Sequence, residues 1–405
     1  MEVLKDEKRI ENLLEKGVDE IFPSKEELRK LLLSGKKLKV YQGFDPTGPS
    51  LHIGHAVAMR KLEDFRALGH EVIFLIGDFT AMIGDPSDKT AARKKLSKEE
   101  ILENLKNYKE QASKIIDIDN KENPIKVLFN SQWLSKLTCE EIIEFSSYFT
   151  VQQMIKRDMF QRRLEEKKPI YLNEFLYPLM QGYDSVSMEV DVEVCGHDQI
   201  FNALAGRHLS QELLKKNKFV LAGKMFALEE GKKMGKTEGN MIELNTKPND
   251  IFGKIMSFPD EKIIEGFELL TSKTLDEVRN YKEILEKNDT NPMEIKKELA
   301  FTITKELSSR QEAEKAKKYF EDVFQKKDLQ TDLDDFKTKQ EEINILTLLS
   351  ETKIAQSKGE ARRLVEQNAV SIDGEKIKDS NYMLKLNNSV VLRAGKKIIK
   401  ITKGR

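Results

Sequence analysis

Residues 44–55 read FDPTGPSLHIGH and hold two of the chain's five histidines, His52 and His55, three positions apart. Two prolines keep the backbone before the histidines out of a helix. The segment KLKVYQGF (37–44) predicts a strand before this loop, and apolar residues at helical spacing predict a helix after it, from residue 53. A loop between a strand and a helix N-terminus offers N–H groups to an anion, so the stretch predicts a phosphate site.

The two histidines allow three interpretations: a pair of metal ligands, packed core side chains, or hydrogen-bond donors to a phosphate. Neither cysteine lies nearby in the sequence and no acidic cluster completes a ligand set, which disfavours a metal. An imidazole N–H donates to phosphate oxygens, and more strongly as negative charge develops in a transition state. In this strand, loop and helix context we favour the phosphate site.

Further apolar segments extend the alternation of strand and helix. EVIFLIG (71–77) and IKVLFN (125–130) read as buried parallel strands, with a helix between them from Ser97. Residues 131–185 look helical, and MEVDVEVCG (188–196) is a fourth strand that a helix follows. The pattern is typical of α/β proteins and predicts a Rossmann-like, doubly wound parallel sheet that binds its ligand at the carboxyl ends of the strands.

The composition changes towards the end of the chain. Residues 246–325 carry helical periodicity and predict a separate α-helical domain, while the charged residues 326–342 predict a linker. Residues 343–405 predict a small α+β domain with a hairpin that turns at Asp373 and Gly374. Within it, the stretch from residue 351 on holds 13 lysines and arginines against 6 aspartates and glutamates, a net charge of +7 in a neutral chain.

The overall composition narrows the class of protein. Charged residues make up 34% of the chain and hydrophobic residues 39%, which is typical of a soluble globular protein. The cysteines, Cys139 and Cys195, fit neither a disulfide framework nor a zinc site. No stretch approaches the roughly 20 apolar residues that cross a bilayer. We therefore expect a cytoplasmic protein that does not engage a membrane.

A lysine-rich stretch, GKKMGKT (231–237), looks at first like a nucleotide-binding P-loop. A P-loop needs four residues between its first glycine and the Gly-Lys pair, whereas three separate Gly231 from Gly235. The spacing excludes a P-loop. A solvated surface loop and a flexible loop whose lysines close over phosphates remain as interpretations.

PTGPSLHIGH and KMGKT together resemble the two signature motifs of the class I aminoacyl-tRNA synthetases. The segments YQGFDPT, IGDPSDKT, YPLMQGYDS and GHDQIFN narrow the resemblance to the bacterial tyrosyl-tRNA synthetases, and it covers essentially the whole chain. The resemblance implies a homodimer that activates L-tyrosine with ATP, releases pyrophosphate and passes tyrosine to the 3′ end of tRNA(Tyr). Mg²⁺ is expected to accompany ATP, without a protein-bound metal or an organic cofactor.

The resemblance also implies a tyrosine pocket. Tyr41 and Asp184 are expected to bind the phenolic hydroxyl, a group that both donates and accepts hydrogen bonds. Phenylalanine would leave both unpaired in a buried pocket, which is costly. The residues expected to hold the rest of the amino acid are Asp85, Tyr177 and Gln181 at the ammonium group and Gln199 near the carboxyl group.

Contacts to ATP are implied in the same way. The residues expected around the α-phosphate are Thr47, His52 and His55. Wider contacts to ATP are implied for Asp45, Gly54, His55, Asp198 and Lys236, of which Asp198 would meet a ribose hydroxyl. The cations expected at the departing pyrophosphate are Lys89, Arg93, Lys233 and Lys236. A carboxylate nucleophile is already ionised at neutral pH, so the reaction requires no general base.

The resemblance gives each region a role. Residues 1–245 would form the catalytic domain, with a helical insertion at about 131–165 that builds the dimer interface. Residues 246–325 would bind the anticodon, and residues 343–405 resemble a small RNA-binding fold of a ribosomal small-subunit protein. Its basic side chains expected along RNA phosphates are Lys358, Arg362 and Arg363. The apolar candidates for the interface, or else for an intrachain core, are Trp133, Leu134, Leu137, Phe145 and Phe149.

Two other functions stay open at this point. Tryptophanyl specificity is the nearest enzymatic alternative, and the pair of Tyr41 and Asp184 argues against it. A non-catalytic RNA-binding protein on a synthetase scaffold is the alternative from another class. The histidines and lysines of both motifs are intact, which argues against a decayed site.

Overall fold

Six strands form the central sheet of the first part of the chain. They are β1 (Val18–Phe22), β2 (Lys39–Phe44), β3 (Glu71–Ile76), β4 (Lys126–Phe129), β5 (Val192–Gly196) and β6 (Phe219–Gly223). Their order is β1-β6-β5-β2-β3-β4, and neighbours run parallel except β1, which pairs antiparallel with β6. The sequence predicts β2 to β5 and misses the other two. β1 carries two acidic residues at the sheet edge, and β6 is too short to tell from a buried helical segment.

The structure is a computed structural model. It describes residues 1–87, 97–229, 232–233, 241–287, 290–325, 335–338, 340–386, 389–395 and 397–403. The chain divides into two units, Met1–Ala313 and Glu314–Arg405.

Strand order creates a switch point in the middle of the sheet. The chain proceeds outward from β2 through β3 to β4 on one side, and from β5 to β6 on the other. The carboxyl ends of β2 and β5 therefore flank the point where the winding reverses, with Tyr41 of β2 paired opposite Glu193 of β5. Doubly wound sheets bind their ligands in the crevice at such a point.

Helices account for most of the remaining residues of the first unit. In chain order they are α1 (Glu7–Glu15), α2 (Lys25–Leu33), α3 (Ile53–Ala67), α4 (Thr80–Ile83), α5 (Lys98–Leu105), α6 (Tyr108–Ala112), α7 (Ser131–Leu134), α8 (Cys139–Ser147), α9 (Val151–Ile155), α10 (Asp158–Glu165), α11 (Leu172–Ser187), α12 (Ile200–Leu214), α13 (Pro248–Met256), α14 (Ile263–Leu270), α15 (Leu275–Glu286) and α16 (Pro292–Leu307). A small antiparallel pair, β7 (Ala227–Glu229) and β8 (Lys232–Lys233), follows β6. Helix α17 (Arg310–Phe320) crosses the boundary between the units.

Local sequence explains where these helices begin. Ser24 and Ser97 precede α2 and α5, and each hydroxyl oxygen accepts a hydrogen bond from the backbone N–H three residues on, at 3.2 Å. Ser97 belongs to a capping box with Glu100, which confirms the helix start that the sequence predicts near this serine.

The helices of residues 246–313 belong to the same unit as the sheet. Buried polar contacts join the two: Lys16 Nζ donates to Thr271 O at 2.7 Å, and Arg60 donates to Leu270 O at 2.8 Å and pairs with Glu306. The sequence predicts a separate helical domain here because periodicity reports the faces of helices and not what they pack against.

After the end of α17, the described residues of the second unit form helices α18 and α19 and two small sheets, which are antiparallel except for the pair of β9 with β15. Its elements are β9 (Asp335–Thr338), β10 (Glu342–Asn344), α18 (Ile345–Glu351), α19 (Lys358–Glu366), β11 (Val370–Ile372), β12 (Glu375–Lys376), β13 (Met383–Lys385), β14 (Val390–Ala394) and β15 (Lys397–Lys403). The sheet order is β12-β11-β14-β15-β9, with β10 paired to β13. The predicted turn at Asp373 and Gly374 joins β11 to β12, and both residues have positive φ angles, which two-residue hairpins of type I′ require.

Strand β9 lies inside the segment that the sequence predicts as a linker, residues 326–342. Phe336 packs against the core of the second unit and Thr338 is buried, while β9 pairs in parallel with β15. An edge strand buries only one face, so a stretch that is mostly charged is still able to form one. Residues 326–334 of the predicted linker lie outside the described residues.

Among the helices of the described residues, none has both the length and the apolar character that crossing a membrane requires.

Candidate active site

A cavity of about 300 Å³ opens at the switch point of the sheet. The residues that the sequence predicts for the site and that line this cavity are Tyr41, Asp45, Thr47, His52, Gly54, His55, Asp85, Tyr177, Gln181, Asp184, Asp198 and Gln199. Strand ends, helix starts and the middle of α11 contribute them, from positions up to 158 residues apart in the chain. The fold therefore brings the predicted tyrosine and ATP residues into one cavity.

Four predicted cations fall where the structure describes no side chain. Lys89, Arg93 and Lys236 lie outside the described residues, and Lys233 is described only through the backbone of β8. Their roles stay predictions.

The proline-rich loop before α3 is held by side chains that the sequence analysis did not assign to the site. Tyr108 Oη donates to Gly48 O at 2.7 Å, and Gln111 Nε2 donates to Pro49 O at 3.0 Å. Gln111 is buried, and its Oε1 accepts from Leu51 N at 2.7 Å. A proline cannot donate from its own nitrogen, so helix α6 supplies the partners that keep this loop in one shape.

The two histidines stand at the start of α3 with stacked rings, 3.8 Å between centroids. His52 is the N-cap residue, and its Nδ1 accepts from Gly54 N at 3.1 Å. The backbone N–H of His52 donates in turn to His55 Nδ1, also at 3.1 Å. Both Nδ1 atoms are thus acceptors, which leaves the proton of each neutral ring on Nε2. Each imidazole is therefore a donor through Nε2.

Burial keeps at least one of these rings neutral. Desolvation and, secondly, the neighbouring His52 lower the pKa of His55 to about 3. Protonation would also place a proton on Nδ1, where the ring already accepts from the backbone. This use of Nδ1 disfavours the metal-pair interpretation, because it places the proton on Nε2, and a protonated ring nitrogen cannot bind a metal.

The exit of the lysine-rich loop is anchored beside the histidines. Ile53 N donates to Ile242 O and Leu244 N donates to Leu51 O, both at 2.9 Å, and His52 forms a β-bridge with Glu243. At the entrance of the loop, Met225 and Phe226 line the cavity. Described residues on both sides of GKKMGKT therefore lie at the cavity or against residues that line it.

Tyr41 and Asp184 line the cavity from strand β2 and helix α11, and the protein already orients both. Tyr41 Oη hydrogen-bonds with Ser185 Oγ at 2.8 Å. Asp184 accepts from Trp133 Nε1 at 2.7 Å and from Asn130 Nδ2 at 3.2 Å. Burial raises the pKa of Asp184 well above its usual range, and these two donors act in the opposite direction because they stabilise the carboxylate.

Burial also raises the pKa of Tyr41 well above its ordinary value, and the charges of Glu193 and Asp184 add to the effect. Tyr41 therefore keeps its proton at neutral pH. A protonated hydroxyl beside a carboxyl group matches the acceptor and donor character of a phenol.

Two of the residues predicted at the ammonium group, Asp85 and Gln181, line the cavity in separate hydrogen-bonded groups. Asp85 accepts from Gln199 Nε2 at 2.7 Å and from the backbone and hydroxyl of Ser87, at 2.9 and 2.6 Å. Gln181 Nε2 donates to Glu193 Oε1 at 3.0 Å, so its amide oxygen is the group that can accept from a ligand. Carboxylate and amide oxygens grouped in this way suit a primary ammonium.

Gly77 permits a close contact at the phosphate side. Tyr177 Oη donates to Asp45 Oδ2 at 2.8 Å, and Thr80 Oγ1 donates to Asp45 Oδ1 at 2.7 Å. A Cβ at position 77 would lie 2.0 Å from that Oδ1 and 2.5 Å from the Thr80 hydroxyl. No larger residue fits there without displacing Asp45.

Two carboxylates of the cavity, those of Asp45 and Asp85, accept hydrogen bonds from neighbouring side chains. Among the described residues, the three ligating side chains grouped within 4.8 Å are Asp19, Glu20 and His197, all exposed, and none of them lines the cavity.

Several residues around the cavity are not predicted from the sequence to belong to the site. Arg157 Nη2 donates to Ser87 Oγ at 2.8 Å, its guanidinium lies 4.5 Å from the ring centroid of Phe201, and burial lowers its pKa to about 10. Asn130, Trp133 and Ser185 are ordinary helix-start or helix residues by sequence. Glu193 carried a visible signal, because a glutamate inside an apolar strand is rarely buried without a partner.

The apolar residues predicted for a dimer interface pack inside the chain. Leu134 and Phe145 are buried, and Trp133, Leu137 and Phe149 pack against the same intrachain clusters. The intrachain core was the alternative interpretation, and the structure favours it for these five. Other apolar side chains of this region are exposed, among them Ile143 (66%), Val151 (69%) and Leu172 (79%).

In the second unit, Lys358, Arg362 and Arg363 are exposed on helix α19. The opposite face of the helix buries Ala361 and Val365 in the core of that unit. The three cations are thus held by a packed helix and accessible to a charged partner.

Comparison with known proteins shows which family this chain matches. Residues 33–325 match the family described as tRNA synthetases class I (W and Y), and residues 325–401 match the C-terminal domain described for SYY-like tyrosine–tRNA ligases. The chain is therefore a class I aminoacyl-tRNA synthetase by family.

Full-length relatives narrow the family. The tyrosine–tRNA ligase of Moorella thermoacetica is 41% identical over 389 residues, which are 95% of this chain and 93% of that protein. That of Thermotoga maritima is 42% identical over 386 residues, 95% of each chain. The chain belongs to the tyrosine–tRNA ligase family.

Solved structures agree on the fold. The C-terminally truncated mitochondrial tyrosyl-tRNA synthetase of Aspergillus nidulans has a TM-score of 0.65 at 20% identity, over 78% of this chain and 94% of that one. The tyrosyl-tRNA synthetase of Archaeoglobus fulgidus, solved with L-tyrosine, has a TM-score of 0.60 at 21% identity, over 77% and 99%. At these identities the likeness concerns the fold alone, and it confirms the predicted α/β class.

Proposed function

We propose that the cavity activates L-tyrosine with ATP and that the enzyme then transfers tyrosine to the 3′ end of tRNA(Tyr). Membership of the tyrosine–tRNA ligase family supports the ligase activity. One observation carries the assignment of the site: the cavity joins Tyr41 and Asp184, which match a phenol, with two N-terminal histidines of α3, which match a phosphate.

In the first step, a tyrosine carboxylate oxygen bonds to the α-phosphorus of ATP as the bond to the bridging oxygen breaks. Pyrophosphate leaves with the electron pair, and no proton has to be removed from the nucleophile. His52 and His55 donate through Nε2 to the α-phosphate oxygens, where negative charge rearranges in the transition state. Because the fold holds both rings before the substrate arrives, little reorganisation accompanies the reaction.

The lysine-rich loop acts as the cover of the pyrophosphate in this proposal. Lys233 and Lys236 belong to it, and Lys89 and Arg93 come from the segment after Asp85. Described residues on either side of this stretch lie at or against the cavity, and its sequence holds glycines, which suits a loop that closes on the leaving group. The four cations would balance the negative charge of the β- and γ-phosphates, which grows by one unit as the bond to the α-phosphorus breaks.

In the second step, a hydroxyl oxygen of the terminal ribose of tRNA bonds to the tyrosyl carbonyl carbon as the bond to the phosphate oxygen breaks, and AMP leaves with the electron pair while its phosphate takes up the hydroxyl proton. Residues 246–325 are proposed to bind the anticodon region, and residues 343–405 to bind RNA phosphates through Lys358, Arg362 and Arg363. The exposure of these three side chains and the net positive charge of the C-terminal stretch support this role.

A homodimer is part of the proposal. Ile143, Val151 and Leu172 expose most of their apolar surface in and just after the predicted insertion, residues 131–165. Large exposed apolar side chains in one region favour a protein partner, and a second copy of this chain is the one that we propose. Sedimentation or light scattering of the purified protein measures its mass directly.

Magnesium is proposed to enter with ATP, as the counter-ion of its phosphates. We also propose that the enzyme works in the cytoplasm, where a tRNA ligase meets its substrates.

The decisive experiment is ATP–pyrophosphate exchange with each amino acid in turn. The proposal predicts exchange that depends on tyrosine. Exchange driven by tryptophan would show that the specificity is wrong. RNA binding that is indifferent to ATP and tyrosine, without any exchange, would identify a non-catalytic RNA-binding protein.

A further inference from the structure

A lysine is buried directly behind the tyrosine pocket. Lys218 precedes β6 and has no exposed surface. Its Nζ donates to Ser185 Oγ at 2.8 Å and pairs with the carboxylate of Glu193. Burying an ammonium costs free energy unless hydrogen bonds and an opposite charge compensate it, so the burial of Lys218 needs an explanation.

Glu193 carries the effect of Lys218 to the ammonium end of the pocket. Glu193 is 2% exposed and lines the cavity. One carboxylate oxygen pairs with Lys218, and the other accepts from Gln181 Nε2 at 3.0 Å. The amide of Gln181 is thereby fixed with its nitrogen away from the ligand and its oxygen available to an ammonium.

Ser185 carries the effect to the phenol end. Lys218 can only donate, so the Ser185 oxygen accepts from it and the serine proton goes to another acceptor. Tyr41 Oη lies 2.8 Å from Ser185 Oγ, whereas the nearest Glu193 oxygen lies at 3.4 Å. The shorter distance favours donation to Tyr41. The hydroxyl of Tyr41 then donates its own proton to another acceptor, either the neighbouring Glu193 carboxylate or the ligand.

Helix α12 leaves room for this arrangement. A Cβ at Gly206 would lie 2.6 Å from Lys218 Nζ and 2.8 Å from Ser185 Oγ. The glycine therefore allows the ammonium to reach between the helix and the sheet. The two branches of contacts, through Glu193 to Gln181 and through Ser185 to Tyr41, both depend on the ammonium of Lys218.

We propose that Lys218 is a positioning residue for tyrosine recognition: it sets the donor direction of Tyr41 through Ser185 and the orientation of Gln181 through Glu193. This inference rests on the proposed function, because it assigns the two ends of the pocket to the phenol and the ammonium of tyrosine. Lys218 touches neither substrate, so its effect falls on the recognition of tyrosine and not on that of ATP.

The test compares Lys218→Met with Lys296→Met in the full-length enzyme. Lys296 is also largely buried, and it pairs with Asp260 and Phe258 O, outside the cavity lining. Tyrosine-dependent exchange gives KM and kcat for tyrosine, KM for ATP, and the preference for tyrosine over phenylalanine. We expect Lys218→Met to raise the KM for tyrosine about tenfold or more and to lower the preference by a similar factor. The KM for ATP should stay within about twofold of wild type.

The double variant Glu193→Gln with Lys218→Met separates the two branches and leaves no unpaired buried charge. Its glutamine can still accept from Gln181, so the KM for tyrosine should recover towards wild type. Ser185 still lacks its donor, so the preference over phenylalanine should remain low. This variant keeps the inference testable if Lys218→Met alone does not fold.

Two results would overturn the inference. One is a Lys218→Met enzyme whose KM for tyrosine and preference over phenylalanine equal those of Lys296→Met. The other is a folded double variant with wild-type preference. A wild-type protein without tyrosine-dependent exchange is a different outcome, since it contradicts the proposed function itself.

Discussion

At the scale of single residues, the backbone decides the chemistry of the two histidines. Each Nδ1 accepts a backbone N–H, so each ring carries its proton on Nε2. The same hydrogen bonds make His52 the N-cap of α3, so the residue serves the helix through one nitrogen and the proposed phosphate site through the other.

Replacing His52 tests its proposed role without breaking the helix start. Asparagine is a good N-cap residue but lacks a donor at the position of Nε2. We expect His52→Asn and His52→Ala to lower the kcat of tyrosine activation by roughly 10²- to 10³-fold, while the KM for tyrosine stays near wild type. His208→Ala, at an exposed histidine that bonds Tyr148 O, is the matched control. A large loss of tyrosine affinity in either His52 variant would place this side chain at the amino acid instead.

His55 predicts a pH dependence of stability. Its folded pKa, about 3, lies below the ordinary value of 6.5, because burial disfavours the charged ring. Between these values the unfolded chain binds a proton that the folded protein does not. The contribution of His55 is therefore fully present above about pH 6.5 and is lost as the pH falls towards about 3.

Urea unfolding of wild type and His55→Gln across pH 4 to 8 checks this sign. The free energy of unfolding of the wild type should exceed that of His55→Gln by less as the pH falls. A gap that widens at low pH would mean that the buried ring is protonated in the folded state.

At the scale of elements, the signals that the sequence carries are local ones. The loop and histidines of residues 44–55 predict a strand, a turn and a helix start, because proline geometry and helix capping act over a few residues. Helix α11 likewise carries three predicted residues on one face. Lys218 and Ser185 look ordinary by sequence, since only the closing of the sheet brings position 218 next to position 185.

For the same reason, the sequence does not show which side chains bind the proline-rich loop before α3. Nothing in the sequence near Tyr108 or Gln111 indicates that these side chains bind carbonyl groups some 60 residues earlier. Whether an apolar residue lies in a core or at an interface is equally a property of the assembled fold. The apolar residues predicted for the dimer interface illustrate it, since they pack inside the chain.

Loosening the loop anchors should weaken ATP use more than tyrosine use. Tyr108→Phe removes the donor to Gly48 O, and Gln111→Leu removes both contacts to the loop. Each lost hydrogen bond costs about 1 kcal/mol, so we expect the KM for ATP to rise about fivefold in the first variant and more in the second. Steady-state exchange at saturating tyrosine measures it. An unchanged KM for ATP in both variants would mean that the loop keeps its shape without helix α6.

At the scale of the whole molecule, charge is unevenly distributed. The chain is neutral, yet its last 55 residues carry a net charge of +7. The exposed cations of α19 belong to the second unit, and the cavity belongs to the first. Activation of tyrosine and binding of tRNA should therefore respond to different substitutions.

Removing the cations of α19 tests this separation. The triple change of Lys358, Arg362 and Arg363 to Ala should raise the KM for tRNA about tenfold or more and leave tyrosine-dependent exchange unchanged. The dependence of tRNA binding on salt should become shallower by roughly two to three in log–log slope. Glu360→Ala on the same helix is the control. Equal charging by the triple variant and the control would show that another surface binds the tRNA.

The central claim is that one cavity joins tyrosine to the α-phosphate of ATP. Its most direct measurement is the mass of the small molecule retained by the purified enzyme after incubation with tyrosine and ATP, without tRNA. We expect tyrosyl-adenylate, formed with release of pyrophosphate and strongly reduced in His52→Asn. Release of pyrophosphate without a tyrosine adduct, or an adduct that forms equally well in His52→Asn, would contradict it.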